Sequence, residues 1–86
     1  MSSQLLRSGT SVGANVTEAQ EAEGKKDFVH KLSIAKKECA ESAYWLRLLY
    51  EKKYISRDVF DELHGRSMEI KKLLNSIIIT TRQNHL

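Results

Sequence analysis

An all-α antiparallel up-and-down bundle, with three helices in one domain spanning residues 1–86, is the fold that three observations predict. The chain contains no Pro and only four Gly, so little interrupts a helix. Apolar and small residues recur at alternating four- and three-residue spacing in three separate segments, and on a helix that spacing gathers them into one stripe. Gly24 marks one break between the segments, and Lys52-Lys53-Tyr54-Ile55 before the N-cap candidate Ser56 reads as the other.

The first segment, about residues 3–23, carries Leu5, Gly9, Val12, Val16 and Ala19 on such a stripe. Each Gly inside a helix costs roughly 1 kcal/mol relative to Ala. The small side chains at Ser8, Gly9, Gly13 and Ala14 therefore predict the close approach of a neighbouring helix, with a weak first helix as the alternative. Gly24 is expected to close this helix in a left-handed conformation.

The central segment, residues 25–53, is the one the others must cover. Phe28, Leu32, Ala35, Cys39, Ser42, Leu46 and Leu49 form its seam. Projected at 100° per residue, Lys26, His30 and Lys37 fall opposite that seam. Towards the C-terminal end the outer side turns apolar at Tyr44 and Leu48, flanked by Ile34 and Trp45, so these four are expected at an oligomer interface. The last segment, residues 56–81, begins with Ser56 as N-cap and Asp58 in its first turn. Its seam is Phe60, Leu63, Ser67, Ile70, Leu74 and Ile77, widened by Val59, Leu73 and Ile78. The β-branched run from Ile77 to Thr81 is expected to fray, with residues 82–86 as a loose tail.

Composition limits the functional classes. A domain of this size buries only about 60% of its unfolded surface, and self-association is a common remedy. The formal charge is +3 with both signs interspersed, so the distribution of charge matters more than its total. Lys25, Lys26, His30, Lys36 and Lys37 crowd the first half of the central helix and are the candidate RNA- or DNA-binding residues. Against them, Asp58, Glu62 and Glu69 form an acidic stripe on the last helix that could meet the basic one across a subunit contact.

Cys39 cannot form an internal disulfide and lies on the seam, as a small buried hydrophobe would. Asp61 and His64 are the nearest approach to a helical metal motif and lack a second copy, and His85 falls in the tail. No catalytic constellation or phosphate-cradling loop is present, so no enzyme activity, cofactor, metal or small-molecule substrate is expected. No signal sequence or transmembrane stretch is found, which predicts a cytoplasmic protein without a membrane partner.

Read in order, Gln4-Leu5-Leu6-Arg7, the run Ser11 to Ala19, Asp27-Phe28, Ser33-Ile34-Ala35 and Ala40 to Leu46 resemble the bacterial four-helix-bundle family of 23S ribosomal RNA intervening-sequence proteins. Its pattern is Q-x-x-R, S-x-x-A-N-[IV]-x-E, a Gly-containing link, an E/D-F pair and E-x-x-Y-W-L. The resemblance implies an antiparallel bundle assembling as a ring-like homopentamer, of largely unassigned molecular role and no established enzyme activity. A related group of basic pentameric bundles assists a reverse transcriptase, which implies nucleic-acid contact. Two departures stand out: family members begin with a further helix before Q-x-x-R, and Ala19 replaces the more usual Gly. Asn15, Glu18 and Glu41 form the polar part of the motif, and Asn15 and Glu18 are expected to meet partners such as Arg7, Glu41 or a backbone end across the bundle. The functional expectation is a non-enzymatic homo-oligomeric scaffold with a nucleic-acid-binding basic face. The alternative is a module that accepts a partner helix.

Overall fold

The structure is a computed structural model that describes residues 2–83. It contains three helices, α1 (Ser2–Gln20), α2 (Lys25–Glu51) and α3 (Arg57–Gln83). Cross-helix bonds fix their directions. Arg7 pairs with Glu38 and Glu41 while Glu18 pairs with Lys31, so residue numbers rise along α1 as they fall along α2. Lys36 meets Asn75, the Ser67 hydroxyl donates to the Cys39 carbonyl, and Tyr50 stacks on Phe60, which makes α3 antiparallel to α2.

Helix ends differ from the sequence expectation in instructive ways. α1 stops at Gln20 because Glu21 and Ala22 tighten its last turn with bonds to the carbonyls of Glu18 and Ala19, both 3.1 Å. Gly24 is not left-handed; its φ of −148° is extended, and it serves as N-cap of α2. The left-handed residue is Lys53, at φ 64°. There the Lys53 N–H bonds to Tyr50 and the Tyr54 N–H to Leu49, the paired bonds of a Schellman closure. Ser56 caps α3 as expected, its hydroxyl accepting from the Val59 N–H at 3.2 Å. The β-branched run does not end α3. The helix continues to Gln83, with the Thr81 hydroxyl returned to the Ile77 carbonyl. His85, assigned to a tail, lies outside the described residues.

α2 is the spine. Its buried residues are Val29, Leu32, Ala35, Cys39, Ser42, Leu46 and Leu49. Val29 takes the place expected of Phe28, which packs at the margin of the core. A straight helix drifts by about 20° per heptad against a strict 3.5-residue repeat, so a seam this long moves by one residue at its end. The main core joins α1 through Ala19 and α3 through Leu74 and Ile78, with Val12, Val16 and Ile77 packed against it.

α1 and α3 both lie against α2 but not against each other: among the described residues no Cα pair between them is within 8 Å. The Cα envelope measures 48 × 21 × 13 Å. Helices packed about 10 Å apart on three corners of a square have a diagonal near 14 Å, giving a cross-section of about 19 × 12 Å once the Cα radius is added. A flat row of three would be about 25 Å wide and far thinner. The molecule is thus three corners of a square bundle, with the fourth corner open between α1 and α3.

Candidate interaction surfaces

The open corner becomes a groove at the end of the bundle nearest the α2–α3 turn. Its floor is Cys39, Ser42 and Leu46; Leu5, Leu6, Gly9 and Val12 form one wall and Leu63, Ser67 and Ile70 the other, enclosing about 520 Å³. Leu63 and Ile70, expected in the seam, are exposed here by 42% and 43%, and Leu6 by 70%. The reason is geometric: a stripe on α3 wide enough to face two neighbours meets only α2. The expected close helix approach at Gly9 and Gly13 is also absent, since a Cβ at either would meet nothing within 4 Å. Ser8 instead carries the tight contact and is fully buried.

On the groove floor the Ser42 hydroxyl is buried without a hydrogen-bond partner. Beside it, burial pushes the Cys39 thiol above its usual pKa, a shift that the charge of Lys71 partly opposes. Among the described residues no group of three or more His, Cys, Asp or Glu gathers where it could hold a metal. Among the described residues no helix is long and apolar enough to cross a membrane.

The basic residues divide among three places. Lys25, Lys26 and His30 surround a hollow of about 580 Å³ with Val29, Ser33 and, from the far end of α3, Arg82. Lys36 lies further along the same α2–α3 furrow with Lys71, Lys72, Met68 and Asn75, its ammonium donating to Asn75 at 3.1 Å. Lys37 is apart from both, on the back of α2 with Arg7, Ala40, Glu41, Tyr44 and Trp45. Sequence reading missed Lys71, Lys72 and Arg82. Their signal was present as a flank of α3 beside its seam, but only the antiparallel register shows that this flank faces Lys26 and Lys36.

Of the four expected interface residues, Tyr44 is exposed, while Ile34, Trp45 and Leu48 are half-buried. Tyr44 and Trp45 meet edge to face at 5.0 Å. The acidic stripe of α3 is partly engaged on its own helix, where Glu62 bonds Arg66.

The family profile described as 23S rRNA-intervening sequence protein matches residues 1–76. This chain belongs to that family. A crystal structure of a protein with unknown function from the S23 ribosomal protein family of Bacteroides thetaiotaomicron is 52% identical, with a TM-score of 0.89 over 91% of this chain and 72% of that one. No curated protein matches. In this 23S rRNA-intervening sequence protein the polar motif residues do not form one cluster. The Asn15 amide donates to the Ser11 carbonyl of its own helix, Glu18 accepts from Lys31 at 3.0 Å, and Glu41 accepts from Arg7 at 3.1 Å. Glu18 thereby holds the Lys31 ammonium above its usual pKa. Glu18 pairs across the bundle, though with Lys31; the expected partners Arg7 and Glu41 bond each other instead, and Asn15 stays on its own helix.

Proposed function

We propose that this 23S rRNA-intervening sequence protein is a non-enzymatic scaffold that assembles head to tail with copies of itself, the groove of one copy receiving the back of α2 from the next. The open corner carries this reading. A bundle of this size that leaves Leu6, Leu63 and Ile70 in water has unburied apolar area beside an apolar groove. The other half of the contact is Tyr44 and Leu48, which lie opposite the α2 seam, with Trp45 on the adjoining flank. Groove and ridge are different patches, and such a heterologous contact closes into a ring when its rotation allows. The homopentamer implied by the family resemblance is an assembly of that kind. The unpaired Ser42 hydroxyl offers a bond to a polar group of the incoming face, and the Tyr44 hydroxyl is one such group.

A second reading keeps the groove and changes the occupant to a helix from outside these 86 residues. It is favoured by the Bacteroides relative, whose unmatched share is roughly 30 residues, enough for one helix as long as α2.

Light scattering separates the two. Under the first reading the wild type is an oligomer whose mass is insensitive to salt. Leu63→Asp with Ile70→Asp, and separately Tyr44→Asp with Leu48→Asp, should each abolish it, at a cost of at least about 2 kcal/mol per contact. Mixing the two variants should restore only dimers, because each retains the half that the other lost. A wild type that is monomeric up to millimolar concentration would sink the homo-oligomer and leave the partner helix.

A further inference from the structure

We propose that the furrow between α2 and α3 binds the phosphate backbone of a single-stranded nucleic acid. Lys26 and His30 stand at one end with Arg82, and Lys36, Lys71 and Lys72 follow along the same pair of helices. These positions descend α3 as they ascend α2, in the register fixed by the bond from Lys36 to Asn75. The cations form one track. Its two stations are about 15 Å apart along α2, the axial reach of four or five nucleotides.

Among the described residues, no Asp or Glu lines either hollow. Among the described residues Lys26, Lys71, Lys72 and Arg82 form no ion pair, whereas Lys31, Arg7, Arg57 and Arg66 outside the furrow do; Lys37, Lys52 and Lys53, also outside it, form none but are not gathered along one furrow. Asp27, next to Lys26 in sequence, acts on Lys31 at the α1 side of the helix. A row of unpaired cations at this spacing repels itself unless a polyanion lies along it. Further on, Arg47 rests 5.5 Å from the centroid of the Phe60 ring, which also stacks on Tyr50 and meets His64. This prolongs the track with an arginine held in place by aromatic rings.

Shape selects the class of polyanion. The cations line a concave furrow between two helices, which a strand can enter and a flat bilayer surface cannot. Helices packed about 10 Å apart also leave a channel narrower than a duplex. Backbone charge is all that the furrow reads, so RNA and DNA strands share the chemistry. The site is on the opposite side of α3 from the apolar groove, and the inference stands whichever helix fills that groove.

The test is fluorescence anisotropy with a labelled single-stranded RNA of about 16 nucleotides, a length suited to such a track, over a series of salt concentrations. Lys71→Glu with Lys72→Glu is compared with Lys52→Glu with Lys53→Glu, which removes the same charge at the exposed α2–α3 turn, away from the furrow. Circular dichroism checks that both variants fold. The furrow pair should weaken binding about tenfold or more and flatten the log–log salt slope by roughly 1.4, while the control pair changes binding less than about threefold. Lys26→Gln with Arg82→Gln, at the other end, should also weaken binding and keeps the inference testable if the first pair does not fold. Equal losses from furrow and control pairs would overturn it, because they would reflect net charge alone. So would tighter binding of a duplex DNA of equal length, tighter binding of phosphatidylserine vesicles, or no RNA binding by the wild type at low salt.

Discussion

Cys39 illustrates how one position takes several constraints. It is 3% exposed, its carbonyl accepts the Ser67 hydroxyl, and its side chain forms part of the groove floor. Burial disfavours the thiolate, so the folded pKa lies above the unfolded one. The linkage has a definite sign: the contribution to stability is fully present below the unfolded thiol pKa of about 8.5 and is lost as pH rises through the folded value. Alkylation of the native protein by iodoacetamide at pH 8 should be at least about tenfold slower than that of the denatured chain. Equal rates would mean that the thiol is accessible in the native state. The sequence placed this residue on the seam correctly, because four-three spacing is a local property of the helix.

Among the elements, α1 departs most from its own propensities. It holds Gly9 and Gly13 within 19 residues, and neither meets a neighbour. Gly13 is exposed and outside the groove lining, so Gly13→Ala should stabilise the chain by up to about 1 kcal/mol, a rise of about 4–8 °C in Tm. Gly9→Ala should match that gain in dilute protein. Gly9 lines the groove, however, so its replacement should weaken assembly where Gly13→Ala does not. Thermal melts at two concentrations check both statements, and a concentration-independent gain from both variants would show that α1 meets nothing at Gly9 in solution. The closures at either end of α2 show where local signals mislead. Gly24 looked like the left-handed residue because glycine adopts that backbone without cost. Lys53 adopts it because the Schellman bonds from Lys53 and Tyr54 satisfy the last carbonyls of α2.

At the scale of the molecule, the bundle is closed at one end and open at the other. Ala19, Val29, Leu32, Ala35, Leu74 and Ile78 unite all three helices near the α1–α2 link, whereas Leu46 and Leu49, towards the α2–α3 turn, lie outside that cluster. Amide hydrogen exchange at low protein concentration should follow this gradient, with Leu32 and Leu74 among the slowest amides and Leu5 and Leu63 faster by at least about tenfold. Protection at Leu5 and Leu63 should then rise with concentration as the groove is covered. Uniform protection in the dilute protein would mean that the open corner is stable unaided.

The sequence by itself determined the helical class, the three segments, the α2 seam to within one residue and the family, because these follow from spacing and from motifs that lie within single elements. Only the tertiary structure decided which side of each helix meets which neighbour. Leu63 and Ile70 read as core, and they border an open groove because α1 and α3 each pack on α2 while no Cα of one comes within 8 Å of the other. Lys71 and Lys72 carry no assignment from the sequence and Arg82 falls in the expected tail, and the antiparallel register of α3 on α2 sets all three along the same furrow as Lys26 and Lys36. Periodicity fixes the angle of a residue about its own helix axis. It carries no information about which helix stands at that angle, and that choice is made by packing between segments distant in sequence.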